Sequence, residues 1–351
     1  MLTRVRGMLL VVCSLWLAAC APRPGDLAYP RRGDEIVVCG QMFHTGAPVV
    51  LWTDPGGYDA YRVEKRFGPL ERAGWEVAAR EGKGPETPNR YNTRFFRFAA
   101  EQPNFVGAPG AVLSADEIAR IRGGGWDLPL LQRVVDQFVL HYDVCGTSRQ
   151  CFRILHDVRG LSVHFMLDVD GTIYQTLDLK ERGWHATTSN DRSIGIEIAN
   201  IGAYSDKEMQ KGTLERWYGR DERGAYLILP PEMGDGGIRT PGFLASRPRP
   251  ARTEPVRAEV QGRVMNQYDL TPLQYDSLIK LTAALCRIFP NMPRDYPRDA
   301  EGRLVTRALG EAELRAFRGV LGHYHVQDNK SDPGPALQWD AVMGRAPVKR
   351  E

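Results

Sequence analysis

Ser162-Val163-His164-Phe165-Met166-Leu167-Asp168-Val169-Asp170-Gly171-Thr172-Ile173-Tyr174-Gln175 sets two runs of β-formers on either side of an Asp-Gly pair. Asp-Gly between such runs is among the strongest short-range hairpin signals, because glycine takes the positive φ that a tight turn needs. The stretch is therefore predicted to be two strands joined by a turn. Downstream, Ser193-Ile194-Gly195-Ile196-Glu197-Ile198-Ala199-Asn200 reads as a strand with alternating faces. Period-two geometry puts Glu197 with Gly195 and Ala199, opposite the three isoleucines. Upstream, Phe138-Val139-Leu140-His141 is an apolar strand that ends in a histidine. Thr271 as N-cap and Pro272 at the first helical position start a long amphipathic helix through Ile288, closed by Pro290. Strands alternating with helices predict an α/β domain whose site lies along strand ends.

The remaining organisation is less regular. With 351 residues, 42% hydrophobic and 25% charged, the chain is long enough for one sizeable core with appendages. A net charge of +3 gives no case for nucleic acid, which would want a clustered basic face. Arg4 and Arg6 precede an apolar run from Met8 to Ala19 that ends in Leu17-Ala18-Ala19-Cys20. This reads as a signal peptide over 1–19, too short to span a bilayer. Cys20 directly after Leu-Ala-Ala resembles a bacterial lipobox, which implies a lipid anchor on Cys20. Ala21 rather than aspartate goes with outer-membrane sorting, so the expected location is periplasmic and anchored to the outer membrane. Residues 20–35 are the expected tether, and 36–125 an N-terminal extension with no assigned role. It contains an Arg/aromatic run at Asn89–Phe98 and a short helix from Ser114. The main domain is expected at 126–345, with an insertion at 205–268 that is charged at first and then Pro/Gly-rich.

Export permits disulfides. Cys145 and Cys151 are close enough in sequence to clip a loop, and Cys39 with Cys286 is an open alternative pairing. Near the C-terminus, Gly322-His323-Tyr324-His325 and Lys330-Ser331-Asp332 precede Pro333-Gly334-Pro335. Proline and glycine in that order hold the side chains before them on a stiff loop rather than a helix. His323 and Asp332 are metal-compatible, yet a catalytic zinc site wants three protein ligands and an open position. His325 stands beside His323 as a rival ligand. His164 among apolar neighbours reads equally as a core histidine, and His44 and His156 carry no case for function.

Taken in order, Phe138–His141, Ser162–Phe165, Asp170-Gly171, Gly183-Trp184-His185-Ala186, Ser193–Ile198 and Gly322-His323 … Lys330-Ser331-Asp332-Pro333 resemble the zinc N-acetylmuramoyl-L-alanine amidases, the type-2 amidase and peptidoglycan-recognition protein family. The resemblance covers about 129–204 and 270–340. It implies a mixed central β-sheet flanked by helices, with Zn2+ held by His141, His323 and Asp332. It also implies that Glu197 acts as base and proton shuttle and that Lys330 stabilises the oxyanion. Trp184, His185 and Asn200 are expected on the substrate side, and Cys145–Cys151 resembles the loop disulfide of the recognition proteins. Phage relatives carry a catalytic tyrosine immediately before the strand histidine. Here that position is Val163, which leaves proton transfer to Glu197. The implied substrate is peptidoglycan or its muropeptides, intact wall and anhydro-muropeptide fragments both being open. The rival reading is a non-catalytic peptidoglycan-binding module.

Overall fold

The computed structural model describes residues 24–26, 31–61, 113–114, 116–117, 120, 125–159, 161–209 and 211–350. The leader with Cys20, most of the tether and the Asn89–Phe98 run lie outside these residues.

Glu35–Val38 (β1) and Gln41–His44 (β2) form a hairpin turned by Cys39 and Gly40, both at positive φ. Val49–Leu51 (β3) follows. Leu128–Val134 (α1) starts where Asp127 accepts a hydrogen bond from the Leu130 N–H and Pro129 occupies the first turn. Next come Gln137–Tyr142 (β4) and Ser148–Phe152 (α2), the latter running on as a π-helical turn over Arg153–Val158. Phe165–Leu167 (β5), Ile173–Gln175 (β6) and Ser193–Ile198 (β7) complete the central part. After Asp206–Met209 (α3), the insertion contributes two hairpins. These are Tyr218–Asp221 (β8) with Gly224–Leu227 (β9), and Val256–Val260 (β10) with Arg263–Gln267 (β11). Pro272–Ile288 (α4), Glu311–Ala316 (α5), Gly319–Gly322 (β12), His323–Val326 (α6) and Trp339–Val342 (α7) end the described chain.

Six strands form one mixed sheet in the order β12-β4-β7-β5-β6-β3. All neighbours run parallel except β5 and β6, which are the hairpin read from Asp170-Gly171. Thr172 O accepts from the Asp168 N–H at 2.9 Å, and Gly171 sits at φ +84°. α4 starts at the expected N-cap Thr271 and Pro272, and the structure adds a capping box in which Thr271 and Gln274 each bond the other's backbone N–H. Its Leu278, Leu281, Leu285 and Ile288 pack with Ile194, Ile196 and Ile198 of β7 and with Phe138 and Leu140 of β4 in the main core. Each fully buried aliphatic side chain there contributes about 2 kcal/mol. The three isoleucines therefore commit one sheet face to α4 and turn Glu197 and His141 to the other. Ser114 and Glu117 also cap one another's backbone, as expected for a helix start.

Two expectations change. β3 is the edge strand of the main sheet, and Ile36, Val38 and Phe43 lie in the same core as α4. The domain thus draws in residues well before 126, and 36–61 is not a separate extension. His323 opens a single helical turn instead of lying on a loop; the stiff loop begins only after Val326. The Cys39–Cys286 pairing, which the sequence left open, is not made. No helix among the described residues is long and apolar enough to cross a membrane.

Candidate active site

The site lies at the carboxyl ends of the parallel strands β4, β7 and β12, where open α/β sheets place their ligands. His141 is next to last on β4 and sits in register with Glu197 on β7. β12 pairs with β4 so that Gly322 lies opposite Leu140, and the chain enters α6 with His323 immediately afterwards. A Cβ on Gly322 would press within 2.6 Å of Pro333 Cδ. That close packing brings the 330–334 loop back over the strand end. Asp332 thereby reaches both histidines.

Three atoms converge. His141 Nδ1 is 2.8 Å and His323 Nδ1 2.9 Å from Asp332 Oδ2, and the two Nδ1 atoms are 3.0 Å apart. The far side of each ring decides what these atoms carry. His323 Nε2 is 2.6 Å from Gln327 Oε1, a pure acceptor, so the ε nitrogen holds the proton. His141 Nε2 is 3.0 Å from His185 Nδ1, and His185 Nε2 is 3.3 Å from Ser193 Oγ. A consistent assignment has His141 donating to His185 and His185 donating to Ser193. Both Nδ1 lone pairs and a carboxylate oxygen then point at one place with no proton between them. Burial, followed by the charge of His323, pushes the His141 pKa down to about 4, so its ring is neutral near neutral pH. Burial alone would raise Asp332. Any proton carried by the facing His323 or His141 ring would favour the charged form, and that pull outweighs burial and holds the carboxyl well below its usual range, so Oδ2 is a carboxylate oxygen.

This donor set fits zinc. Two imidazole nitrogens and one carboxylate oxygen are a hydrolytic zinc ligand set, and tetrahedral ligands stand about 3.3 Å apart, near the separations seen. A second cluster, Asp34, Glu35 and His44, fits poorly. The Glu35 Oε1 that approaches His44 already accepts from the Arg32 N–H, and the Arg31 guanidinium lies 3.6 Å from Glu35 Oε2, so a donor and a cation already serve this carboxylate.

Glu197 faces the same cavity, which is about 530 Å³ and is also lined by Trp184, Lys330, Asp143 and Arg159. Its carboxylate takes no hydrogen bond among the described residues, and only 9% of the residue is exposed. Burial first, then the charges of Asp332 and Asp143, raise its pKa well above the usual carboxylate value against the pull of Arg159. Lys330 is half-buried on the cavity wall. Val163 is packed in an apolar cluster with Cys151, Phe152 and Leu155, so no proton-bearing group stands where phage relatives have tyrosine.

Several expected roles move. Asn200 is not on the cavity. Its Nδ2 donates to Tyr268 O, and its Oδ1 accepts from the Gly202 N–H and from Gln267 Nε2. Gln267, at the end of β11, also donates to Pro333 O and accepts from the Ala336 N–H. Asn200 and the insertion thus anchor the Pro-Gly-Pro turn behind Asp332. His185 touches the cavity, but its ring nitrogens serve His141 and Ser193. Cys145 and Cys151 are free thiols, not a disulfide. Cys151 is buried and the Cys145 thiol is its neighbour. His325 is no ligand: Nδ1 accepts from the Gly322 N–H and Nε2 lies 2.7 Å from Val305 O. His164 is a satisfied core histidine, accepting from the Gly195 N–H and lying 2.9 Å from Glu181 O.

Two positioning residues were missed. Gln327 was signalled by its i, i+4 spacing from His323. Gly195 was signalled by standing mid-strand, which often marks a close approach. A Cβ on Gly195 would lie 2.5 Å from the His185 ring. Gly195→Ala is accordingly expected to displace His185, free the His141 ring and weaken metal binding about 10- to 100-fold, read by competition with a chromophoric chelator. The same loss in His185→Ala, with no further loss in the double variant, would identify one pathway; full affinity in Gly195→Ala would refute it.

Residues 131–222 match the family model described as N-acetylmuramoyl-L-alanine amidase. Over that segment the chain is similar to the type-2 N-acetylmuramoyl-L-alanine amidases. The match takes in His141, Trp184, His185 and Glu197; His323, Lys330 and Asp332 lie beyond it and are brought to His141 by the fold. Several solved structures are similar, three of them as follows. One is the amidase AmiD from E. coli in complex with the substrate anhydro-N-acetylmuramic acid-L-Ala-D-gamma-Glu-L-Lys, at 16% identity, covering 60% of this chain and 57% of that one, TM-score 0.34. Another is AmpDh3 from Pseudomonas aeruginosa, at 18% identity, 60% and 59% coverage and TM-score 0.34. The third is the endolysin amidase LysCS from Clostridium intestinale, at 16% identity, 60% and 82% coverage and TM-score 0.31. The chain thus spans less than two thirds of AmiD and AmpDh3. No curated protein matches it.

Proposed function

We propose that this chain is a zinc-dependent amidase that cleaves the bond between N-acetylmuramic acid and L-alanine in peptidoglycan or its muropeptide fragments. The observation that carries the reading is the convergence of two imidazole lone pairs and a carboxylate oxygen at the floor of a cavity that also presents the buried carboxylate of Glu197. His141, His323 and Asp332 would hold the metal. Bound zinc supplies Lewis acidity, which polarises a carbonyl and lowers the pKa of water. Glu197, made more basic by its burial, takes a proton from the attacking water. The same raised pKa lets it return that proton to the leaving amine of L-alanine. Lys330 offers fixed positive charge to the developing oxyanion from a loop anchored by Gln267 and Asn200. His185 and Gln327 orient the ligand rings, and Trp184 offers a flat face to sugar or peptide. The Leu17–Cys20 signal supports export and a lipid anchor in the outer membrane, where such a substrate is met.

Mass spectrometry of the products from purified sacculi and from anhydro-muropeptides tests the reading. Free stem peptides beginning with L-alanine are expected from at least one of the two, abolished by chelation and restored by zinc. Co-sedimentation with sacculi and no released peptide from either substrate would overturn the amidase and leave a binding module.

A further inference from the structure

The cavity is lined by residues of two kinds. Beside the ionisable groups of the site, the 154–161 segment gives it an apolar wall of Ile154, Leu155 and Leu161, interrupted by Arg159. Leu155 and Leu161 pack in one cluster with Cys145 and Cys151. Val144 stands at the cavity mouth beside this wall, with 52% of its surface exposed. Its φ of +52° lies in the left-handed region, which β-branched residues almost never occupy because Cβ crowds the following carbonyl. The loop imposes that conformation. The Asp143 N–H donates to Ile198 O at 3.0 Å and the Val144 N–H to Asn200 O at 3.1 Å. Asp143 Oδ1 accepts from the Cys145 and Gly146 N–H groups, both at 2.9 Å. Such strain persists where the surroundings over-determine it, and it gathers at ligand-binding sites.

Glycine or asparagine would take this backbone at lower cost. Packing does not call for valine either, since half of it faces solvent. Neither the chain nor the core accounts for an isopropyl group here, whereas contact with a ligand would. We propose that Val144 is a specificity-determining residue, an apolar contact at the cavity mouth for the methyl-bearing segment beside the scissile amide. This rests on the amidase reading, in which the lactyl and alanyl methyl groups flank that bond. The contact draws the segment toward the Leu155–Leu161 wall, leaving the amide to the ionisable wall.

Val144→Gly and Val144→Asn both accept the left-handed backbone while removing the isopropyl group. In the full chain, each is expected to raise KM for cleavage and Kd for N-acetylmuramoyl-L-alanyl-D-isoglutamine, by calorimetry, about tenfold, with kcat within about twofold. Melting temperature should stay level or rise, because strain is released. Weaker binding in a protein no less stable separates a ligand contact from a packing role, which would lose both together. Unchanged KM and Kd in both variants, or binding and stability falling together in both, overturn the proposal. A wild type that binds this ligand but releases no L-alanyl peptide overturns the amidase reading, and the Kd comparison still decides Val144. A wild type that neither binds nor cleaves overturns both.

Discussion

Glu197→Gln is expected to lower turnover by about a hundred- to ten-thousand-fold while metal content stays at the wild-type level. The reason is local. Glutamine keeps the shape of the side chain between His141 and the cavity but can neither accept nor carry the proton that amide hydrolysis moves twice. The pressure that makes Glu197 a good base is also a cost to the fold. Burial and the charges of Asp332 and Asp143 all oppose its ionisation, and no hydrogen bond among the described residues compensates. The Glu197→Gln substitution should accordingly leave the melting temperature level or raise it, the stability–activity trade expected of a strained catalytic group. Steady-state cleavage of muropeptides, metal analysis and a thermal scan on the same preparation check all three. Cleavage near the wild-type rate would remove Glu197 from the chemistry. Loss of activity together with loss of metal would instead make it part of the metal site.

How much of this was readable beforehand follows from how local each signal is. The β5–β6 hairpin, the capped α4 and the alternation of β7 were legible because Asp170-Gly171, Thr271 with Pro272, and the isoleucines around Glu197 each act within a few residues. Pro48–Trp52 also reads as a short β-like run, and β3 forms there, but its place at the edge of the main sheet was not legible, since three residues carry no period and their pairing with β6 is long-range. The β10–β11 hairpin also escaped notice. Its turn places Gln261 and Gly262 at positive φ, and glutamine lacks the asparagine or aspartate signal that marks such turns. The ligand set was read from residue types in order, but the groups behind it were not. Ser193, Gly195 and Gln267 are ordinary residues in sequence, and only the packed fold shows one bonding His185, one making room for it and one holding the Pro-Gly-Pro turn. Asn200 misled for the same reason: a polar residue at a strand end looks like a ligand contact until its amide is found bonded to the backbone.

The second large effect concerns the metal. His323→Ala and Asp332→Ala are each expected to yield protein that retains little zinc through gel filtration, because two ligands seldom hold the ion once the third is gone. The protein-side consequence is separable from catalysis. In the metal-free chain, two lone pairs and a carboxylate oxygen face one another across 2.8–3.0 Å, an arrangement a cation relieves. Metal present at a hundredfold over its Kd stabilises the fold by about 2.7 kcal/mol. Chelation should therefore lower the wild-type melting temperature by several degrees, and zinc should restore it. Asp332→Ala should melt at the same temperature with or without chelator, since the site that coupled metal to folding is gone. Asp332→Asn refines the point. The amide keeps the volume and removes the anion, so residual zinc in that variant alone would show that geometry, more than charge, holds the ion. Stoichiometric zinc in both alanine variants, together with a wild-type melting temperature indifferent to chelation, would refute His141, His323 and Asp332 as the ligand set.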